Sequence, residues 1–379
     1  MVRDLDALKI DAQIEQARTL PGWVYDDADW FARMQERVFP RAWHLYPLDT
    51  IPSAAGEQVP WTFMPGALDE PLLLTHDGDE LRCLSNVCTH RGFVMVDRPC
   101  TATGIRCRYH GRRFELDGAL HSAPGFENSP DFPEPQDHLR AATVHRWRSL
   151  LFASLDPSVS FDAFFGPVRS RIEDVVPDTM TLDAAGSPHY EMNANWALYC
   201  DNYLEGFHIP YVHPGLNATL DWSLYRTDLF AHASVQLASA KPGEASFNLP
   251  KSHPDHGLRI AAYYVWLFPG TMLNVYPWGL SLNIVLPQGP QRTKVIYRRY
   301  VWDAAAADTG VGSGLDQVEY EDEAVVEACA RGVRSRAYGT GRYSPDHERG
   351  VHHFHRLLVD AARETTCCTA AFGSADTPS

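Results

Sequence analysis

The sequence predicts an α+β protein of two domains, in which an all-β domain is followed by a larger antiparallel sheet with a long helix. The chain has 379 residues, and chains above roughly 250 to 300 residues usually divide into more than one domain. Short apolar runs separated by turn signals fill residues 40–155, which is typical of small antiparallel strands and hairpins. From about residue 180 the apolar runs lengthen and alternate, and a helical pattern follows them, which indicates a second sheet accompanied by a helix.

Residues 1–39 are predicted to form a helical segment that packs on the second domain. Apolar side chains recur there at helical spacing, at Trp30, Phe31, Met34 and Val38. This pattern predicts an amphipathic helix with one buried face.

Residues 40–155 are predicted to form the all-β domain. The runs PLLLTH, LRCLSNV and SLLFASL are separated by DG, DGDE and LDG, which are turn signals between short strands. Four prolines between Pro124 and Pro135 exclude a helix or a central strand, so that stretch is predicted to be a loop.

Residues 156–379 are predicted to form the second domain. Its strand candidates end near residue 302, and a helix is predicted from about Leu315 to Ser335. The GVGSG at 310–314 lacks the strand and helix context of a dinucleotide fingerprint, which predicts a flexible loop instead. The tail CCTAAFGSADTPS has the small, polar composition of a frayed terminus.

Composition excludes several classes of protein. The formal net charge is −15 at pH 7, and no basic patch stands out, so a nucleic-acid partner is not expected. No apolar run is long enough for a membrane span, and the first twenty residues lack a signal-peptide core, so we expect a soluble, cytoplasmic protein. Eight scattered cysteines do not form a secreted disulfide framework.

Two loops of the first domain each offer one thiol and one imidazole. The spacing is Cys88-x-His90, then sixteen residues, then Cys107-x-x-His110. One Cys and one His in each loop suit a two-iron cluster in which the two Cys bind one iron and the two His bind the other. A structural zinc site, or four unrelated residues, are the alternatives.

Glycines follow both histidines, at Gly92 and Gly111. They permit tight turns that bring backbone N–H groups toward the cluster sulfurs. Cys83 and Cys100 lie outside the motif, and we expect both to have packing roles.

A second group of candidate ligands lies in the second domain. Glu205 and His208 are three residues apart, so on a helix they would share one face. His213 follows five residues later, about 140° around a regular helix, and Pro210 offers a reason for the distortion that would let the histidines converge. Two imidazoles and one carboxylate with open positions form the facial triad of non-haem Fe(II) oxygenases.

Helical geometry selects Asp322 as the missing carboxylate. Stepping about 100° per residue places it in the centre of an apolar stripe, whereas Glu321 and Glu323 lie to either side and Glu327 lies almost opposite. A carboxylate that faces the core requires a compensating charge, which iron would supply and an arginine could also supply. The apolar residues within about 60° of Asp322 are Leu315, Val318, Val325, Val326, Cys329 and Val333.

The motifs C-T-H-R-G and C-R-Y-H-G resemble those of the Rieske [2Fe–2S] domain. Phe93 and Arg108 stand where the Rieske proteins of respiratory complexes have additional cysteines, so this loop pair is similar to the lower-potential oxygenase and ferredoxin type. Both groups of residues together resemble the catalytic subunit of the Rieske non-haem iron oxygenases over nearly the whole chain. The resemblance implies a helix-grip catalytic domain, a [2Fe–2S] cluster and a mononuclear Fe(II).

Carried across by this resemblance, His208, His213 and Asp322 form the facial triad, and Asn202 matches an asparagine close to the iron. Glu205 takes the place of the acidic bridge between two metal centres. The resemblance further implies a homotrimer in which electrons pass from one subunit's cluster to its neighbour's iron through His110, Glu205 and His208. Since the sequence has no flavin or nicotinamide fingerprint, a separate NAD(P)H-dependent reductase is expected, with or without a ferredoxin.

Glu205 favours one substrate class. Many ring-hydroxylating members have Asp at the bridge, whereas Glu is found in relatives that resemble the carnitine and choline monooxygenases. The leading hypothesis is therefore that O2 is used to monooxygenate a small quaternary ammonium or N-methylated compound. Hydroxylation of an aromatic acid or similar ring is the alternative enzymatic function, and a Rieske electron carrier is the non-enzymatic one. Rings that could form the pocket by cation–π contact are Tyr203, Phe207, Tyr211, Tyr263, Tyr264, Trp266, Phe268, Tyr276 and Trp278.

Overall fold

The computed structural model describes residues 4–307, 311–312 and 315–363. The predicted frayed tail at 367–379 lies outside the described residues, as do Gly310, Ser313 and Gly314 of the glycine-rich loop. The described chain forms two compact units, residues 40–158 and residues 4–39 with 159–363. Its α-helices are α1 (Ala28–Arg37), α2 (Phe161–Ile172), α3 (Trp196–Tyr203), α4 (Ile209–Val212), α5 (Pro214–Thr219), α6 (Leu315–Val333) and α7 (Arg349–Arg363).

The unit at 40–158 is built of short antiparallel strands. One sheet has seven strands in the order β1-β10-β9-β4-β3-β2-β5, and a separate sheet has three in the order β6-β7-β8. No α-helix occurs among these residues, all of which are described. The strands are β1 (His44–Leu45), β2 (Glu57–Phe63), β3 (Glu70–His76), β4 (Leu81–Ser85), β5 (Cys100–Thr101), β6 (Ile105–Arg106), β7 (Arg113–Phe114), β8 (Leu120–Ser122), β9 (Ala141–Trp147) and β10 (Leu150–Ser154).

The other unit is organised around one large antiparallel sheet. Its strands follow the order β11-β18-β17-β16-β15-β14-β13, and β12 also pairs with β18. Every residue of β14, β16 and β17 is buried, so the centre of this sheet is covered on both faces. The strands are β11 (Thr181–Asp183), β12 (His189–Met192), β13 (Arg226–Phe230), β14 (Ala233–Ser239), β15 (Ile260–Leu267), β16 (Thr271–Tyr276), β17 (Gly279–Pro287) and β18 (Thr293–Val301).

Helix α1 forms where the N-terminal apolar pattern predicts it. The Asp27 side chain caps it by accepting a hydrogen bond from the backbone N–H of Trp30 at 2.9 Å, which satisfies one of the unpaired donors of the first turn. Trp30 and Met34 are buried. At the end of this segment the ring of Phe39 packs edge-on against Trp196 of α3, with centroids 5.5 Å apart.

Helix α6 packs against α3; α3 carries Asn202 and α6 carries Asp322. The predicted α+β class, an all-β domain with an antiparallel-sheet-and-helix domain, is confirmed. Within the described residues, no helix combines the length and the apolar character needed to cross a membrane.

Candidate metal centres and active site

The two Cys/His loops have the same backbone geometry. In the first, Cys88 N–H donates to Phe93 O at 2.9 Å and Gly92 N–H donates to Cys88 O at 3.0 Å. In the second, Cys107 N–H donates to the carbonyl five residues on at 2.9 Å, and Gly111 N–H donates back to Cys107 O at 3.1 Å. Each thiol is therefore presented from a matching turn.

The conformation at Gly92 and Gly111 explains why glycine occupies both turns. Their φ angles are +70° and +80°, in the left-handed region that disfavours residues with a Cβ atom. A Cβ at Gly92 would meet nothing within 4 Å, and one at Gly111 would meet only Pro124 at 3.7 Å. Backbone conformation, not space, requires glycine here.

The four candidate cluster ligands converge between these turns. Cys88 and Cys107 are buried and not joined by a disulfide, and the rings of His90 and His110 have centroids 4.7 Å apart. Nδ1 of His90 is buried and makes no hydrogen bond, although buried polar atoms are normally satisfied. An orphaned ring nitrogen, a neighbouring imidazole and two buried thiols in matching loops fit a group that takes two sulfur and two nitrogen ligands.

Electrostatics favour the ligating form of His90. Burial, followed by the charges of Arg112 and His110, lowers the pKa of His90. A neutral imidazole is the form that binds a metal.

Arg112 ties the two loops together. It directly follows Gly111, is almost fully buried, and donates to Thr89 Oγ1 at 3.0 Å and to Asp137 Oδ1 at 3.3 Å. Its guanidinium also lies over Phe126, 4.4 Å from the ring centroid, a cation–π contact of about 0.5 to 2 kcal/mol. One buried cation thus links the second loop to the first loop and to the proline-rich segment.

The second group of ligands lies on a broken helix, which corrects one expectation. Glu205 and His208 do not share a helical face, because α3 ends at Tyr203 and the chain turns irregularly before α4. Pro210 lies in the first turn of α4 and therefore starts a new helix instead of distorting a longer one. His213 occupies the junction between α4 and α5.

Gly206 explains part of the break. A Cβ there would lie 2.6 Å from the ring of Tyr225, so the close approach of this aromatic side chain requires glycine. The interruption brings the two histidine rings together, with centroids 5.0 Å apart.

His208, His213 and Asp322 form a metal-binding arrangement. Their ligand atoms all lie within 4.8 Å of one another. Oδ1 of Asp322 is 3.0 Å from Nε2 of His213 and 3.5 Å from Nε2 of His208. Two ligands bound at right angles, each about 2.1 Å from a metal ion, lie about 3 Å apart, and the two distances from Asp322 are close to this value.

A carboxylate holds each histidine from behind. Nδ1 of His208 donates to Glu205 Oε1 at 2.6 Å, and the His208 backbone N–H donates to Glu205 Oε2 at 3.0 Å. Nδ1 of His213 donates to Glu321 Oε2 at 2.7 Å. With Nδ1 protonated and bound, Nε2 of each ring is left as the ligand atom, the usual arrangement of metal-bound histidine.

The surroundings of His213 are suited to a cation. Burial lowers the pKa of His213, but the hydrogen bonds and charges of Asp322 and Glu321 outweigh it and raise this pKa above its ordinary value. The same negative charge that favours a proton on the imidazole would favour a metal ion in its place.

The triad forms one wall of a cavity of about 280 Å³. This volume is near the lower end of the roughly 300 to 1,000 Å³ that is typical of small-molecule sites. Asn202 and Glu205 also line the cavity. Five tyrosines line it, Tyr199, Tyr203, Tyr225, Tyr264 and Tyr276.

The rings predicted for the pocket divide into three groups. Tyr203, Tyr264 and Tyr276 line the cavity. Phe207 and Tyr211 are exposed. The remaining four do not line it and are buried elsewhere in the unit: Tyr263, Trp266, Phe268 and Trp278.

Sequence reasoning missed two carboxylates of this site. Glu319 lines the cavity, and Glu321 orients His213. The helical arithmetic that selects Asp322 also places Glu319 only about 60° from it, which was a usable signal. No spacing rule indicated Glu321, because its partner comes from a distant segment of the chain.

Comparison with known proteins connects both sites to one family. Residues 56–133 match the model of the Rieske [2Fe-2S] domain. Residues 179–364 match the model of the ring hydroxylating alpha subunit, catalytic domain.

The chain belongs to the Rieske non-haem iron oxygenases.

Curated relatives of this oxygenase include plant and bacterial monooxygenases. The chloroplastic choline monooxygenase of Beta vulgaris is 28% identical over 358 residues, which cover 91% of this chain and 77% of the relative. The carnitine monooxygenase oxygenase subunit of Escherichia coli K12 is 28% identical over 368 residues, which cover 93% of this chain and 96% of the relative.

Solved structures share the fold of this oxygenase. The quaternary ammonium Rieske monooxygenase CntA in complex with L-carnitine aligns with a TM-score of 0.72 at 22% identity, covering 94% of this chain and 100% of that chain. Naphthalene 1,2-dioxygenase from Rhodococcus sp. aligns with a TM-score of 0.68 at 16% identity, covering 91% and 94%.

The cofactors of a Rieske oxygenase are a [2Fe–2S] cluster and a mononuclear iron. The residues of this chain fit both. Two buried thiols and the orphaned Nδ1 of His90 occur in the matching loops, and the acidic surroundings of His213 favour a cation.

Proposed function

We propose that this chain is the terminal oxygenase component that uses O2, and electrons from a separate reductase, to monooxygenate a small quaternary ammonium or N-methylated compound. Hydroxylation of an N-methyl group leads to a demethylated amine and an aldehyde. The observation that carries the proposal is the position of His208, His213 and Asp322 on one wall of a small, tyrosine-lined cavity. A metal-binding face that opens onto a ligand-sized cavity suits chemistry on a bound molecule.

The proposed ligand sets are Cys88, His90, Cys107 and His110 for the cluster and the triad for the iron. When bound, the cluster supplies single electrons and the ferrous ion activates O2. Glu205 and Glu321 fix the tautomers of the two ligating histidines by accepting their Nδ1–H groups. Asn202 lies on the cavity wall, on the last turn of α3.

The tyrosine rings are held in place before any ligand arrives. Tyr203 Oη donates to Asn274 Oδ1 at 2.7 Å, and Tyr225 Oη donates to Gln236 Oε1 at 3.1 Å. Since their hydroxyl groups are satisfied by the protein, these two rings are fixed in the cavity wall. Ring faces attract quaternary ammonium groups through their quadrupoles, by roughly 0.5 to 2 kcal/mol per contact.

The proposed substrate class agrees with the relatives. Two of them are named as choline and carnitine monooxygenases, and a structure of CntA contains γ-butyrobetaine. Glu205 is the acidic residue that favours this branch.

We also propose the domain division and the electron route. Residues 40–155 serve as the Rieske domain, residues 156–379 as the catalytic domain, and 1–39 as a helical segment on the latter. Exposed side chains adjoin the proposed donor and acceptor residues in the chain: Tyr109 precedes His110 in one unit, and Phe207 precedes His208 in the other. A separate NAD(P)H-dependent reductase, with or without a ferredoxin, supplies the electrons.

Turnover with a surrogate reductase tests the function. Purified, iron-loaded protein is incubated with NADH, O2 and either quaternary ammonium compounds or aromatic acids. Aldehyde release coupled to NADH oxidation supports the proposal, whereas hydroxylated rings would establish the aromatic alternative. Iron content distinguishes an oxygenase from a Rieske electron carrier: about three iron atoms per chain fit an oxygenase, and about two fit a carrier with a cluster alone.

A further inference from the structure

We propose that the substrate is a quaternary ammonium ion or protonated amine without an acid group, and that the carboxylate of Glu319 is the counter-charge that selects it. This inference rests on the proposed function and narrows its substrate class. It separates choline-like compounds from zwitterions such as carnitine and γ-butyrobetaine, all of which contain a trimethylammonium group.

Glu319 is held on the cavity wall by neutral groups. Its Oε2 accepts hydrogen bonds from Tyr297 Oη at 2.5 Å and from Tyr199 Oη at 3.2 Å. Its Oε1 has only the Asn283 amide, at 3.5 Å. The carboxyl group is thus fixed in orientation, and one of its oxygens keeps most of its capacity for a ligand.

No cation of the described chain neutralises Glu319. It forms no ion pair with a Lys, Arg or His side chain in the part of the chain that the structure describes. Burial, together with the charge of Asp322, raises the pKa of Glu319 to about 8. An opposite charge entering the cavity would favour the ionised form of this carboxyl.

The whole cavity is acidic. Its described lining contains four carboxyl groups, those of Glu205, Glu319, Glu321 and Asp322. The only basic side chains in that lining are His208 and His213, which face the metal position. A cationic ligand in addition to the metal ion is therefore electrostatically favoured in the cavity, and an anionic ligand is not.

A substrate carboxylate would find no partner. No Lys or Arg occurs in the described lining, and the segment 308–316, DTGVGSGLD, contains none either. Lys241 lies near the cavity, but its Nζ donates to the backbone carbonyls of Asn217 and Ala218 at the end of α5. A buried, unpaired carboxylate is strongly unfavourable.

The position of Glu319 also orients the substrate. It precedes Asp322 by three residues on α6, so the two side chains project from adjacent turns of one face, with Cβ atoms about 5 to 6 Å apart. An ammonium group held by Glu319 would therefore lie on the helix face that also carries Asp322. The counter-charge and the reaction centre are thereby set at a fixed spacing.

A substrate series tests the acid-free class. Turnover of the holoenzyme is measured with choline and trimethylamine, and with the acid-bearing glycine betaine, γ-butyrobetaine and L-carnitine. We expect kcat/KM to be about tenfold or more higher for an acid-free member than for every acid-bearing one, since an unpaired polar group left in a site gives discrimination of that order. Comparable or higher values for any acid-bearing compound would overturn this inference and leave the proposed function standing. Absence of turnover with all five would overturn both.

A variant tests Glu319 by binding alone. The dissociation constants of choline and of its uncharged isostere 3,3-dimethylbutan-1-ol are measured by calorimetry for the wild-type protein, for Glu319→Gln and for Glu327→Gln. Glu327 is on the same helix and accepts hydrogen bonds from Asn193 outside the cavity, so its variant is the matched control.

The wild type and Glu327→Gln should bind choline at least about tenfold more tightly than the isostere, and Glu319→Gln should lose that preference while keeping its affinity for the isostere. If Glu319→Gln prefers choline over the isostere as strongly as the wild type does, the role of Glu319 is overturned. Unchanged cluster absorbance and iron content would show that Glu319→Gln has folded. If the variant does not fold, the wild-type protein is tested alone at two pH values. A preference for choline over the isostere at pH 8.5 that weakens by pH 6.5 would support the role of Glu319, and no preference for choline would overturn it.

Discussion

Glu321 accepts the Nδ1–H of His213 at 2.7 Å. It is itself fixed by Gln317, whose amide donates to its other oxygen at 2.9 Å. Glu205 holds His208 in the same way from another segment of the chain. Both histidines of the triad are therefore oriented by a carboxylate, one on the broken helix and one on α6.

Removing this support should weaken metal binding at the triad. We expect Glu321→Ala to lower the affinity of the mononuclear site about 10- to 100-fold, the usual effect of losing such a partner, because the ring of His213 loses its fixed tautomer and orientation. Iron retention against a chelator, measured per chain, checks this. The cluster spectrum should not change, and wild-type retention in the variant would contradict a positioning role for Glu321.

Asp322→Ala should remove the iron without affecting the cluster. Asp322 supplies the only carboxylate oxygen of the triad, and its loss leaves two histidines that bind a metal weakly. Metal analysis should fall from about three iron atoms to about two per chain, turnover should cease, and the brown colour should persist. Normal product formation by this variant would show that another residue completes the site.

Glu205→Gln should separate metal binding from electron delivery. A glutamine oxygen can still accept the Nδ1–H of His208, so the triad should keep its iron. The negative charge is lost, and we expect single-turnover oxidation of the reduced cluster to slow by about tenfold or more. Stopped-flow absorbance measures this rate. Unaltered kinetics with both metals bound would count against a bridging role for Glu205.

Substitutions at Gly92, in the turn of the first Cys/His loop, should destabilise the cluster to different degrees. Because a Cβ at Gly92 meets no atom within 4 Å, Gly92→Ala should cost only the left-handed backbone penalty of about 1 to 2 kcal/mol. Gly92→Asn should cost less, since asparagine tolerates this conformation. The rate at which cluster absorbance is lost on heating should rank wild type slowest and alanine fastest. A larger loss with asparagine would point to a steric requirement instead.

Local patterns in the sequence predicted much of this structure. The Cys/His spacing predicted two matching turns because each Cys lies within three residues of its His, and helical periodicity located α1, α6 and the cavity-facing position of Asp322. The limits of α6 were also close, since its predicted end at Ser335 compares with Val333. Motif spacing and helical periodicity depend only on residues close together in the sequence, and the turns and helices that they predicted are formed by such residues.

Other features depend on contacts between distant segments. The break after α3 is coupled to the packing of Tyr225 against Gly206, which no periodicity reveals. Cys329 was assigned to the apolar stripe of α6 and is exposed, whereas Val326 and Ala330 on the same helix are buried. An ideal 100° step gives direction but does not say where the neighbouring elements end.

Strands β1 and β10 pair with each other, with His44 opposite Ala153 and Leu45 opposite Phe152. Just outside them, the N–H groups of Leu155 and Asp156 both donate to Pro40 O. The first and last residues of the cluster-binding unit are thus held next to each other by backbone hydrogen bonds. Such an insertion can be exchanged for a homologous module without lengthening either connection, which makes this junction the natural place to graft a Rieske module of different redox potential.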